Sequence, residues 1–317
     1  MQADGTDGRV LVLNPASGSE DHVDDVVELA AEHGFDVRKT EEAGDARRLA
    51  REAAPDADLV AAAGGDGTVN EVVGGVVAAS ALETTTVAVI PAGTGNNFAS
   101  NVGLEGIEHA FEVIEYGQRR RIDLGLANDR SFVNSCVGGV TAEASGETSS
   151  EGKREFGVLA YVLNTFETVR SFDSLPLRVT TADGPNGEVA ESWTGKAMFV
   201  LVGNCRRFTG ARTAQANVED GLFEVTIVEE AATVDLLGEA ALERLFNREN
   251  THIVRRRTPS LTIESLHDSV EYSLDGEMLE TETLELETKP TAVEVAVGDD
   301  YRPNPDEDED DGWPFDA

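Results

Sequence analysis

Cysteine is nearly absent: the 317 residues contain two, Cys136 and Cys205, far apart and without a CxxC spacing. They read as free buried thiols, not as a disulfide or a metal pair. The five histidines, His22, His33, His109, His252 and His267, show no HxxxH or His–Cys clustering, so zinc is not expected. No run approaches the roughly 18 to 20 apolar residues of a membrane-spanning helix. Residues 1–8 hold two acids and no basic cluster ahead of an apolar stretch, unlike a secretory signal. The expectation is a cytoplasmic protein with no transmembrane segment. Basic residues are scarce too, 25 Lys and Arg against 61 Asp and Glu, for a net charge of −36. Such a surface repels nucleic acid, and at low salt also anionic membrane, so no nucleic-acid partner is expected. The acids are spread over the whole length and concentrate in residues 306–311, which reads as adaptation to a very salty cytosol, where screening acts over about 3 Å at 1 M.

What is present is a chain long enough for two domains. Residues 1–125 alternate strand and helix signals in the manner of an open parallel sheet with crossover helices. Strands are expected at 10–13, 35–40, 59–63 and 86–90, and helices at 21–33, 44–53 and 69–79. From residue 126 to 298 the texture changes to β-rich runs separated by turns, at 131–137, 177–181, 196–202, 222–228, 260–265, 270–274 and 293–297. Helices interrupt only at 158–168 and 233–246. The fold class is therefore α/β plus β: an α/β nucleotide-binding domain followed by an antiparallel β-sandwich. Residues 299–317 form a Pro- and acid-rich tail, read as disordered from about residue 303.

Three of the four strands of the first domain end in Gly-rich loops at their carboxyl ends, where ligands bind in open α/β sheets. These are Asn14-Pro15-Ala16-Ser17-Gly18, Gly64-Gly65-Asp66-Gly67-Thr68 and residues 91–98, which contain Gly93-Thr94-Gly95-Asn96-Asn97. The second loop joins a buried strand to a helix. Its glycines let backbone approach an anion, and the helix start presents free N–H groups. It lacks the Gly-Lys-Ser/Thr ending of a Walker loop and the GxGxxG spacing. Taken alone it reads either as a phosphate cradle or as an ordinary Gly-rich βα turn; two companion loops on one sheet favour the cradle.

The wording of these loops resembles the diacylglycerol kinase catalytic domain family of soluble lipid kinases, which is related to sphingosine kinases and, more distantly, to NAD kinases and phosphofructokinases. The first loop matches Asn-Pro-x-Ser-Gly. The second matches Gly-Gly-Asp-Gly-Thr followed by Asn70 and Glu71, and the third Pro-x-Gly-Thr-x-Asn. Arg121-Ile122-Asp123-Leu124-Gly125, residues 157–161, Gly203-Asn204, Asp220-Gly221-Leu222 and Leu274-Asp275-Gly276-Glu277 agree as well, so the resemblance spans residues 9 to 298. It implies ATP as phosphoryl donor, bound between the two domains, and a lipid hydroxyl such as that of a diacylglycerol as acceptor.

The same resemblance assigns roles. Nucleotide contacts fall to Asn14, Pro15, Ala16, Ser17, Gly18, Thr40, Gly64, Gly65, Asp66, Gly67, Thr68, Val69, Asn70 and Thr94, with Asp66 placed to hold a magnesium–water network. Asp220, with backbone carbonyls around Asn217 and Leu222, corresponds to a magnesium site, and hard oxygen ligands suit that ion; a plain Asp-Gly hairpin is the alternative. The proton acceptor of phosphoryl transfer lies in Asp275-Gly276-Glu277, with Asp275 and Glu277 both candidates. One departure is Asn97, where many relatives carry Asp; the amide keeps hydrogen bonds but removes a charge.

Arg119, Arg120 and Arg121, Arg255, Arg256 and Arg257, and Arg206, Arg207 and Arg212 are basic islands. They read either as docks for phosphate or an anionic headgroup or as local neutralisation of acids and protection of strand edges. The favoured expectation is a lipid kinase that meets its substrate transiently at the inner face of the membrane. Two others stay open: a kinase of a soluble substrate such as NAD, and a nucleotide-binding sensor whose catalysis has decayed, motivated by Asn97. The oligomeric state is open.

Overall fold

The computed structural model describes residues 8–18, 22–139, 174–205, 216–230 and 252–304. The helices expected at 158–168 and 233–246, Arg206, Arg207 and Arg212, and residues 157–161 lie outside them.

In the first unit, β1 (Arg9–Leu13), α1 (Val23–Glu32), β2 (Asp36–Lys39), α2 (Asp45–Ala53), β3 (Leu59–Gly64), α3 (Asp66–Ala78) and β4 (Thr86–Pro91) alternate. The strands pair in parallel in the order β4-β3-β1-β2. β3, with sequence LVAAAG, is buried along its whole length, as expected of a parallel strand covered on both faces. α1 turns Val26 and Ala30 inward and its acids outward. Each fully buried Val contributes about 1.5 kcal/mol or more. The expected strands and helices are found with small shifts at their ends, and one shift matters: α3 begins at Asp66, not at residue 69. Gly65 is extended, and Asp66, Gly67 and Thr68 form the first helical turn, with the Val69 N–H already donating to Gly65 O at 3.1 Å.

Two short helices follow, α4 (Asn97–Asn101) and α5 (Ile107–Tyr116). Then come β5 (Gln118–Ala127), β6 (Arg130–Phe132), β7 (Ser135–Gly139), β8 (Leu175–Thr181), β9 (Ser192–Gly203), β10 (Phe223–Glu229), β11 (Ile253–Thr258), β12 (Ser260–Ser265), β13 (Val270–Leu274), β14 (Glu277–Thr281) and β15 (Thr283–Val297). They form the second, β-sandwich unit, with one core around Phe132, Phe223, Val200, Ile263 and Tyr272. Cys136 and Cys205 are buried and in no disulfide.

The two units share one sheet. β15 pairs antiparallel with β12 and β5, and at Val295 it pairs in parallel with Val87 of β4. Val293, Val295, Ala296, Val297 and Tyr301 pack in the core of the first unit. Residues 293–297, grouped from the sequence with the second unit, thus also extend the sheet and core of the first, because the last strand of the chain crosses back. Tyr301 is buried there, and its hydroxyl donates to Glu219 at 2.8 Å.

Candidate active site

β1, β3 and β4 are adjacent and parallel, so their loops emerge at one edge of the sheet, with Thr40 beside them: its N–H donates to Leu13 O at 2.9 Å. The loops are welded to one another. Asn14 Nδ2 donates to Thr68 Oγ1 at 3.2 Å, Ala92 N to Gly64 O at 3.1 Å, and Asn14 Oδ1 takes the Ala16 N–H at 3.1 Å. A Cβ on Gly93 would run into the Cα of Gly65, and one on Gly18 would stand 2.7 Å from Ala92 O. These glycines are required by loop-to-loop packing. Gly67 and Gly95 differ, since a Cβ on either meets nothing within 4 Å. Open space beside main chain at the start of α3 suits a polyphosphate, and the residues present fit a nucleotide there.

The predicted nucleotide residues divide accordingly. Asn14, Pro15, Ala16, Ser17, Gly18, Gly64, Gly65, Asp66, Gly67 and Thr68 form the floor, Thr40 flanks it, and Thr94 is exposed at the tip of the third loop. Val69 does not belong with them. Its side chain is in the core and its N–H is spent inside the helix. Asn70 is fully buried with both amide atoms lacking a hydrogen-bond partner among the described residues; it too faces inward. Glu71 ties the floor to α2 by accepting the N–H groups of Gly44 at 3.2 Å and Arg47 at 3.4 Å.

Asp66 caps α4: its two carboxylate oxygens accept Asn97 N at 3.1 Å and Phe98 N at 2.8 Å. Burial raises its pKa, and hydrogen bonds from those N–H groups and from the side chains of Asn134 and Asn97 pull it back. Asn97 therefore serves as a neutral donor to Asp66, where a second carboxylate would repel it.

In the second unit, Asp275 and Gly276 form a two-residue hairpin turn between β13 and β14, both with positive φ, +50° and +98°. That is the backbone an Asp-Gly pair favours. The turn fixes the Asp275 carboxylate against the β6–β7 connection, where it accepts Val133 N at 2.6 Å, Asn134 N at 3.0 Å and Ser135 N at 2.8 Å. Burial pushes this carboxyl up to about 7 against the pull of those three donors, and the charge of Asp66 adds to the rise. Asn134 thus lies between the two acids, with its amide side chain toward Asp66 and its main chain on Asp275. Glu277 opens β14 and is partly exposed.

Sequence reasoning missed Asn134, a lone Asn between two strands with no motif around it. It also assigned no role to Asp123 and Asn204, although both stand in matched motifs. Asp123, buried at the junction of the units, accepts Gly221 N at 2.6 Å and Thr291 N at 2.8 Å, and burial raises its pKa to about 6. Asn204 Nδ2 bridges Asp123 O at 3.1 Å and Val133 O at 2.9 Å.

The 217–222 loop is held by its own donors and by arginines. Asp220 Oδ1 accepts Leu222 N at 3.0 Å and Asn217 Oδ1 accepts Glu219 N at 3.0 Å. Arg257 pairs with Asp220, and Arg120 with Glu219. No group of three His, Cys, Asp or Glu suited to a metal is found among the described residues. The donor chemistry still fits a hard cation: a largely buried carboxylate beside loop oxygens, already carrying a guanidinium as its positive partner. The remaining basic islands are similarly engaged. Arg256 pairs with Glu191, Arg121 with Glu83, and Arg119 donates to Ile114 O at 2.6 Å. β11, which carries residues 255–257, pairs only with β10 among the described strands, so these charges line a strand edge.

Comparison with known proteins agrees with this architecture. The diacylglycerol kinase catalytic domain model matches residues 9–127, and the model of the YegS C-terminal NAD kinase beta sandwich-like domain matches residues 134–297. A probable lipid kinase YegS-like from Yersinia enterocolitica is 30% identical over 299 residues, 91% of this chain and 96% of that protein. Among solved structures, a putative diacylglycerol kinase from Bacillus anthracis superposes with a TM-score of 0.78 at 26% identity, over 94% of this chain and 98% of that one. An NAD kinase from Archaeoglobus fulgidus, in complex with ATP, has a TM-score of 0.50 at 12% identity over 92% and 94% of the two chains, a likeness of fold alone.

Proposed function

The chain belongs to the diacylglycerol kinase catalytic domain family, and from that premise we propose that it transfers the γ-phosphate of ATP to the hydroxyl of a lipid, a diacylglycerol or a similar alcohol, met transiently at a membrane surface. Membership of a kinase family makes it a phosphotransferase; the donor, the acceptor and the place are the proposal. The observation that carries it is the pair of carboxylates Asp66 and Asp275, one from each unit, bridged by Asn134. Phosphoryl transfer asks the protein mainly for positioning and charge stabilisation. The floor of three loops supplies backbone donors for phosphates, and a magnesium ion bound with the nucleotide would neutralise phosphate charge. Asp275 is the favoured proton acceptor. Three donors leave its carboxylate one lone-pair site, its orientation is fixed, and its pKa near 7 suits a base at neutral pH. No described helix is long and apolar enough to cross a membrane, which accords with a lipid reached from outside the bilayer.

The test is transfer of labelled γ-phosphate from ATP with magnesium to a total lipid extract in high salt, with NAD as a parallel acceptor. Asp275→Asn is expected to lose about 10²- to 10⁴-fold in rate, the usual share of a general base. If Glu277→Gln abolishes transfer while Asp275→Asn retains it, the base moves to Glu277. Label in NAD and none in lipid would sink the lipid reading, and ATP binding without label in any acceptor would point to a sensor. The pH dependence has a defined sign. The acceptor works ionised, so activity rises with pH through about 7. The folded pKa is above the ordinary 3.8, so the stability this group contributes is full below pH 3.8 and lost as pH rises through about 7. Activity and this part of stability therefore run in opposite directions.

A further inference from the structure

We propose that Arg257 and a divalent cation compete for one position on the Asp220 carboxylate, so that Arg257 sets how tightly the 217–222 loop takes a cation. The inference rests on the kinase reading only for the expectation that magnesium visits this loop.

Asp220 is the acid of the loop where such an exchange is feasible. Its neighbour Glu219 is committed three ways: to Arg120 through two nitrogens, to the Tyr301 hydroxyl, and by its own N–H to Asn217 Oδ1. Asp220 instead has one oxygen on Leu222 N and the other, among the described residues, on Arg257. The Asp220 side chain is 16% exposed and that of Arg257 45%, so the carboxylate is fixed while the guanidinium reaches solvent. Arg257 also has somewhere to go. It stands opposite Glu224 in the β10–β11 ladder, and its Nε lies 2.9 Å from Glu224 Oε1. It can release Asp220 and keep Glu224.

The chemistry of the two occupants differs. A guanidinium brings one delocalised charge and directional N–H donors, whereas magnesium brings two charges and draws on oxygen ligands. The exchange would also be felt beyond the loop, since the next N–H, that of Gly221, donates to Asp123 at the junction of the units.

The experiment titrates magnesium chloride alone into the full-length chain by calorimetry, at constant potassium chloride and without nucleotide or lipid. Arg257→Ala is expected to bind magnesium about fivefold more tightly than the natural chain, the release of one half-exposed ion pair. Asp220→Asn is expected to remove this binding in both backgrounds. Arg257→Lys keeps a charge but loses the fork; it should fall between, and it serves in place of Arg257→Ala should that variant not fold. Equal affinity with and without Arg257, tightening that survives Asp220→Asn, or no magnesium binding by any form would each overturn the proposal. Because ATP and lipid are absent, those outcomes leave the kinase reading untouched, and failure of phosphoryl transfer would leave this result standing.

Discussion

The two sides of the candidate site are made of different materials. The side from the first unit is main chain: glycines, a few small polar side chains and the opening turn of α3, locked because the loops touch. The side from the second unit is carboxylates, Asp275, Asp123 and Asp220; the first two are anchored on backbone N–H groups of a neighbouring segment and Asp220 on Leu222 N of its own loop. On one side residue identity is enforced by space, on the other by charge. Changes of volume should therefore be felt on the first and changes of charge on the second.

The largest test of that contrast is Gly93→Ala. Its new Cβ points at the Cα of Gly65, which cannot swing away as a side chain would, so the loops must part. A shift near 1 Å costs about 10²-fold in kcat/KM for ATP, and Tm should fall with it. Gly67→Ala sharpens the comparison: its Cβ enters open space at a helical position, so Tm should hold or rise slightly while the KM for ATP rises. Equal behaviour of the two variants in both readouts would break the distinction. Next in size is Asp123→Ala, which leaves two backbone N–H groups without acceptors and should cost about 2 kcal/mol in urea unfolding at pH 5. The folded pKa of about 6 exceeds the ordinary 3.8, so the natural chain itself loses stability as pH rises through 6, and the gap between the two should narrow there. The smallest effect is expected from Asn97→Asp. A carboxylate beside Asp66 raises the pKa of its acidic neighbours, which should move the acidic limb of the pH–rate profile upward by less than about one unit.

Much of the first side is legible in the sequence because its signals are local. An apolar run ending in glycines gives β3 and its loop, and the same holds for β1 and β4. The boundary of α3 is misplaced by three residues because Gly67 and Thr68 are poor helix formers, while the cap that holds them, Asp66 on Asn97 and Phe98, comes from a different loop. α5 is readable afterwards from Ala110, Phe111 and Ile114, which bury one face. The second side is less legible. Asp-Gly at 275–276 announces a turn, but not that its carboxylate collects three donors from residues 133–135. Asn134 contributes mostly main chain, which leaves no trace in residue type. The return of Val293–Val297 to the first sheet is hidden for a related reason: strand composition does not say which unit a strand joins. The two readings of the arginine islands part only when their partners are seen, and Glu83, Glu191 and Glu219 favour neutralisation over docking.

β15 also has a mechanical meaning. Together with β5 it runs through both units as a continuous ribbon, and the pairing between them slips only between Lys289 and Val293. A unit mounted on such a ribbon is joined to its neighbour by a continuous hydrogen-bonded ladder and not by a single strand of linker, with the one irregularity gathered in that short slip. Thr291 sits there at φ +49°, and its N–H is pinned by Asp123. Asp123, whose pKa is raised by burial to about 6, thus ties that slip to the 217–222 loop through Thr291 N and Gly221 N.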